Sequence, residues 1–177
     1  MGSIRPPKPA KLFCGLLSAD LDLMAEASRR LAKQFGPIDA TSETWPFTAT
    51  DYYQHEMGSD IKRRFVTFAQ LISVDRLPEI KRFTNDLEKG FCHDLALALD
   101  TRPINIDPGY LNLSKLVLAT TKDYSHRLYL ARGIYAEVTL HYENAAWQPW
   151  PWTYPDYASQ DYRDFFNQVR QVYKDAL

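Results

Sequence analysis

The chain has only two cysteines, Cys14 and Cys92. They lie far apart and form no C-x-x-C pair. That argues against a disulfide framework and a cysteine-based zinc centre, and it suits a reducing compartment. No apolar run approaches the roughly 20 residues that a membrane-spanning helix needs, and the opening MGSIRPPKPAK lacks the apolar stretch of a secretory leader. One-sided charge is missing as well. Lys and Arg number 21 against 22 Asp and Glu, for a net charge of −1, so the basic footprint typical of nucleic-acid binding is absent. The four histidines (His55, His93, His126, His141) show neither H-x-x-x-H nor H-E-x-x-H spacing, and G-x-S-x-G and G-x-x-x-x-G-K-[ST] do not occur. Metal, nucleophile-elbow and phosphate-loop chemistry therefore have no motif to rest on, and no metal is expected. These absences point to a cytoplasmic protein, and IRPPKPA, with three prolines and no period, reads as part of an extended arm over 1–10 ahead of a single domain over 11–177.

What is present is aromatic. Phe, Trp and Tyr make up 14% of the 177 residues, with eleven Tyr and four Trp. Such residues fill cores, and Tyr and Trp also line ligand sites because each keeps a polar handle. Apolar residues at 45% and charged residues at 24% are ordinary for a globular domain long enough to bury its own core.

Hydrophobic spacing predicts the elements. KLFCGLL (11–17) reads as a buried strand. DLDLMAEASRRLAKQFG reads as a helix, with Ser18 ahead of it, Leu23, Ala27, Leu31 and Phe35 on one stripe, and Gly36 as its stop. An edge strand containing Pro46 covers 38–47, DYYQHEMG (51–58) is ambiguous between strand and loop, and 61–73 is a long strand. A second helix is expected over 74–100, with Gly90 near its end. RPINIDPG (102–109) reads as a short strand closed by a Pro-Gly turn. Strands follow at 115–121 and as a hairpin over 126–142, then a Trp- and Pro-rich loop and a last helix over 159–176. The order β-α-β-β-α-β predicts an α+β, ferredoxin-like sandwich with a mainly antiparallel sheet, extended by the C-terminal hairpin and a final helix. A doubly wound parallel sheet is the alternative.

The hairpin carries the densest chemistry. From Ile134 to Tyr142 apolar and polar residues alternate, which marks a half-buried antiparallel strand. A three-residue loop, Ala131-Arg132-Gly133, pairs Leu130 with Ile134 and makes the apolar faces coincide. In that register Tyr129 lies opposite Tyr135 and Arg127 opposite Glu137, while Lys122 and His126 enter from the preceding connection. A cross-strand Arg–Glu pair is common on sheets and stabilises by only ~0.2–1 kcal/mol, and a lone histidine is often structural, so the cluster is either a brace or a site. Asp107 and Tyr110 in NIDPGY sit at a strand end, where open sheets tend to bind ligands, or Asp107 simply caps the turn.

The stretches DYYQHEMG, TNDLEKGF, NIDPGYLNLSKLVLATTKDYSHRLYL, GIYAEVTL and PWTYPDY, taken together, resemble a bacterial and archaeal family catalogued as a domain of unknown function, number 4416. The resemblance runs from about Pro9 to Tyr173 and implies no activity, cofactor or catalytic residue.

From the residues themselves, the leading expectation is a protein that binds or acts on an anionic, phosphorylated small molecule. Lys122, His126 and Arg127 would supply positive charge, and Glu137 or Asp107 a general base with His126 as its catalytic companion. Tyr129, Tyr135 and Tyr110 would give stacking or hydroxyl contacts. Alternatives are a protein-interaction or homo-oligomeric assembly module using the loop 147–157, whose aromatics could equally cover the sheet, and an RNA-binding module stacking bases on exposed aromatics. Whether the chain is an enzyme, and with which cofactor, is left open at this level.

Overall fold

The computed structural model describes residues 2–48, 54–97 and 101–177. The central strand, β1 (Ala10–Ser18), is buried along its whole length. The reason is its position, since apolar layers cover both faces of the sheet at this strand. It is followed by α1 (Leu21–Phe35), whose first turn is capped by Asp20. That carboxylate accepts from the Asp22 and Leu23 amides at 2.8 and 3.1 Å. Ser18, expected just ahead of the helix, ends β1 instead, and its hydroxyl donates to the Pro103 carbonyl. Gly36 ends the helix at φ +95°, a conformation that only glycine adopts without strain.

The edge strands β2 (Ile38–Thr41) and β3 (Trp45–Pro46) both pair with the long β4 (Lys62–Ile72), and α2 (Gln54–Met57) is a single turn between β3 and β4. The segment 51–58, ambiguous from its sequence, is helical over Gln54–Met57 and leaves the helix at Gly58, and residues 51–53 lie outside the described residues. After a 3-10 turn at Val74–Arg76 comes α3 (Leu77–Asp94), which ends earlier than expected and keeps Gly90 inside it. Residues 98–100 of the expected helix lie outside the described residues.

The second half adds β5 (Asn105–Leu111), β6 (Lys115–Thr120), β7 (Leu128–Ala131), β8 (Ile134–Glu143), β9 (Ala146–Pro149) and α4 (Gln160–Asp175). The nine strands form one sheet in the order β2-β4-β1-β5-β6-β8-β7, with β3 beside β4 and β9 beside β8, and every described pairing is antiparallel. One face packs Leu12, Cys14 and Leu16 against α1 and α3. The other packs Phe13 and Phe65 against Tyr162, Phe165, Phe166 and Val169 of α4. Each fully buried Leu or Phe stabilises by ~1.5–3 kcal/mol, so these two layers dominate the fold's stability.

Three local expectations are corrected. Pro108-Gly109 is not a turn: both residues lie inside β5, with Pro108 opposite Cys14 and Gly109 opposite Phe13. Glycine is required there by crowding, because a Cβ would lie 2.4 Å from the Val117 carbonyl oxygen and 2.5 Å from Phe13. The hairpin loop has two residues, not three. Arg132 and Gly133 sit at φ +55° and +77°, the two left-handed positions of a type I′ turn. Ala131 pairs with Ile134 and Tyr129 with Tyr135, which leaves Leu130 as a bulge that restores the expected register beyond it. Finally, a register shift at Thr139 interrupts the alternation of β8. Leu140 therefore joins the α4 layer, while Ile134, Ala136 and Val138 face the other way.

Candidate functional site

The sheet opens between β5 and β6, and the sequence of β5 explains why. Their pairing runs from Leu111–Leu116 to Gly109–Leu118 and stops at Pro108. Proline has no amide hydrogen to give the ladder. One step further, Ile106 turns its amide and carbonyl toward the missing neighbour. Two side chains of α3 take the place of the strand: Glu88 Oε1 accepts from the Ile106 amide at 2.6 Å, and Lys81 Nζ donates to the Ile106 carbonyl at 3.1 Å. The gap widens into a cleft of about 910 Å³, walled by α3, β5, the end of β6, the start of the β7–β8 hairpin and the loop after β9. That volume suits a small molecule.

Asp107 stands at the inner end. Its Oδ2 accepts from Asn105 Nδ2 at 2.7 Å and lies 3.4 Å from Arg63 Nη1, and its Oδ1 is 3.6 Å from Lys81 Nζ. The side chain keeps about a quarter of its surface exposed. Arg63 is enclosed and also meets Asp156 at 3.4 Å, tying the late loop to the sheet. Its Nε and the Tyr157 hydroxyl have no hydrogen-bond partner among the described residues. Burial pushes the Glu88 carboxyl up to about 7 against the pull of Lys81. It also pushes on Asp107, but there Lys81 and Arg63 outweigh it and hold the carboxyl below the usual range. Two carboxyl groups in one cleft are thus driven apart, a pattern that separates a proton-holding group from an ionised one. Burial raises Asp156 too, despite Arg63.

The second cluster lies across the cleft. Glu137 is buried on β8 opposite Leu118. Its Oε2 accepts from Arg127 Nε at 3.0 Å and meets His126 Nε2 at 3.1 Å, and its Oε1 accepts from the Thr139 hydroxyl at 3.2 Å. Arg127 further donates to the Lys122 carbonyl and the Tyr154 hydroxyl, at 3.1 and 2.8 Å. A row of rings runs from here along the loop: His126 stacks on Trp152 at 5.4 Å, Trp152 on Trp150 at 5.2 Å, and Trp150 lies over His141 at 4.1 Å. Trp152 Nε1 donates to the Val138 carbonyl and Trp147 is buried, so this loop is folded across the sheet.

Of the residues singled out from the sequence, the structure brings Asp107, Lys122, His126, Arg127 and Glu137 to this one cleft. Three are not part of it. Tyr129 and Tyr135 meet edge to face at 5.3 Å, but neither lines the cleft, because the hairpin carries them past its mouth. Tyr110, adjacent to Gly109, points to the opposite face of β5 and packs under the helices. Sequence reasoning missed Arg63, Lys81, Glu88, Asp156 and Trp152. Signals existed for three of them. Arg63 lies two residues before the inward Phe65. Leu77, Lys81, Thr84, Glu88 and Phe91 follow helical spacing, and all five are buried. No group of three or more His, Cys, Asp or Glu side chains suited to a metal occurs among the described residues, and no described helix is long and apolar enough to cross a membrane.

Compared with known proteins, residues 8–173 match the family described as "Domain of unknown function (DUF4416)". No curated protein and no solved structure matches the chain.

Proposed function

The chain belongs to the DUF4416 family, and we propose that it binds, and is equipped to act on, an anionic, phosphorylated small molecule in the cleft between β5 and β6. The observation that carries this reading is the charge balance of the lining. Arg63, Lys81, Lys89, Arg102, Lys122 and Arg127 all face one cavity. The carboxylates on the same walls are already engaged: Glu137 by Arg127 and His126, Asp107 by Lys81 and Arg63, Asp156 by Arg63, and Glu56 by Arg102. The fifth, Glu88, is pushed by burial up to about 7 and so is only partly ionised at neutral pH, and of the cations Lys89 is also paired with Asp86, outside the lining. An entering anion therefore meets a surplus of positive charge in a partly desolvated space, where attraction is stronger than in water.

In this reading Lys89, Arg102 and Lys122 attract the anion at the mouth and the exposed edge of the stacked Trp152–His126 pair gives the ligand an apolar wall. Glu137, enclosed by its three partners, fixes Arg127 and His126. Glu88 is the proton-exchanging group. Cytoplasmic residence belongs to the same reading, since Cys14 and Cys92 are both free. So does a ferredoxin-like core: the order β2-β4-β1-β5, with α1 and α3 on one face, supports it.

The test is a thermal-shift titration with inorganic phosphate and methyl phosphate at low and high salt. A ligand at a hundredfold its dissociation constant stabilises by ~2.7 kcal/mol, a rise of about 5–10 °C for a domain of this size. Arg102→Ala and Lys122→Ala should each reduce the shift. The reading fails if no phosphate compound moves the melting temperature at any concentration up to tens of millimolar.

A further inference from the structure

Resting on the anion reading, we propose that the ligand is a polyhydroxylated phosphate, that is, a sugar phosphate, and that Asp107 is the residue that recognises its hydroxyl groups. The mouth of the cleft and its inner end ask for different chemistry. At the mouth, Lys89 is exposed over four-fifths of its side chain beside Asp86, and Arg102 is half-buried beside Glu56. These cations suit a phosphate that keeps part of its hydration. At the inner end a second charged group is not wanted, because Asp107 is ionised and Asp156 stands beside it across Arg63.

The inner wall instead alternates acceptors and donors. Asp107 Oδ1 has no hydrogen bond among the described residues, since Lys81 Nζ lies 3.6 Å away, beyond hydrogen-bond length. The Asn105 amide donates to the other oxygen, Oδ2, and the Lys81 ammonium lies near Oδ1. An apolar group here would leave this carboxylate desolvated and unsatisfied, at a cost. A phosphate would be repelled by it. A hydroxyl is the neutral group that donates to a carboxylate and accepts from an ammonium at the same time. Two neighbouring hydroxyls would use both Asp107 and Lys81.

The remaining wall fits the rest of a sugar. Trp152 lines the cleft with about a third of its surface exposed, and its exposed ring edge gives the carbon skeleton of a pyranose or furanose ring an apolar wall to pack against. His126 and Trp150, both stacked nearly parallel on Trp152, hold that wall in place.

The experiment is isothermal titration of the intact chain with glucose 6-phosphate, fructose 6-phosphate and ribose 5-phosphate, against methyl phosphate and free glucose as controls. At least one sugar phosphate should bind about tenfold or more tightly than methyl phosphate, the scale of one hydrogen bond to a charged group. Asp107→Asn should erase that advantage while leaving methyl phosphate binding unchanged or slightly stronger, because it removes a negative charge from the cleft. If Asp107→Asn does not fold, judged by circular dichroism, Trp152→Leu serves as the second variant, with the same selective loss expected. Equal affinity for sugar phosphates and methyl phosphate, or equal loss of both in the variant, overturns the hydroxyl assignment while the anion reading stands. Binding of free glucose as tight as its phosphate overturns the anion reading and, with it, the sugar phosphate as ligand, leaving only the hydroxyl contact at Asp107. Silence toward every phosphate compound overturns both.

Discussion

Replacing Arg127 with alanine separates a brace from a surface contact. A cross-strand ion pair in water contributes ~0.2–1 kcal/mol, whereas breaking a buried pair by removing one partner costs ~3–5 kcal/mol, because the surviving charge stays buried. The side chains of Arg127 and Glu137 are 6% and 2% exposed, which places the pair in the second regime. Arg127 also holds the Lys122 carbonyl and the Tyr154 hydroxyl, so its removal frees acceptors on two segments at once. A loss of ~3–5 kcal/mol lowers the melting temperature of a chain this size by about 6–20 °C. Glu137→Gln keeps the shape and loses the charge, and should cost less, ~1–3 kcal/mol. The assay is urea unfolding of wild type, Arg127→Ala, Glu137→Gln and the double variant at pH 7, closed as a thermodynamic cycle. The double variant should be less destabilised than the sum of the singles, by ~0.5–3 kcal/mol. A loss below ~1 kcal/mol for Arg127→Ala, or strict additivity, would refute the argument that the pair is buried and coupled.

Glu88 gives a pH prediction with a definite sign. Its folded carboxyl titrates at about 7 against an ordinary value of 4.5, so between those values the folded state binds the extra proton. The stability it contributes is complete below 4.5 and is lost as pH rises through about 7. Urea midpoints of wild type should therefore fall relative to Glu88→Gln between pH 5 and pH 8, and parallel curves would count against it. Two glycines should respond oppositely. Gly109→Ala forces a methyl onto the Val117 carbonyl and Phe13 and should cost at least ~1–3 kcal/mol. Gly90→Ala, inside α3 with nothing within 4 Å, should raise stability by ~0.5–1 kcal/mol. Equal effects in chemical denaturation would mean that the close approach at Gly109 is relieved by movement of β6. Trp152→Ser should remove the bond to the Val138 carbonyl and the support of His126, seen as a blue-shifted, weaker fluorescence change on ligand addition. An unchanged response would detach this ring from the site.

Local signals read well wherever a residue's environment is set by near neighbours. The stripe Leu23, Ala27, Leu31 and Phe35 appears in α1 as written, and all four are buried. The three-residue turn expected at 131–133 is a two-residue turn at Arg132-Gly133, yet the expected pairing beyond it forms, because the bulge at Leu130 makes up the difference. Pro108-Gly109 misled for a specific reason. The pair is a strong turn signal in isolation, but here Phe13 and Val117 press on Gly109 from other strands. The proline is tolerated because β6 leaves β5 at that point.

The sequence alone determined that Arg127 and Glu137 meet, since ten residues and one tight turn separate them, and period-two alternation leaves few registers that bury the right face. It could not decide that Asp107 would find Arg63, 44 residues away, or that Arg63 would also reach Asp156, 93 residues on. Those meetings depend on which strands become neighbours and on where one of them parts from the sheet. Both are fixed by packing the whole chain at once, because neither helix layer can be buried until the strands beneath it are in order.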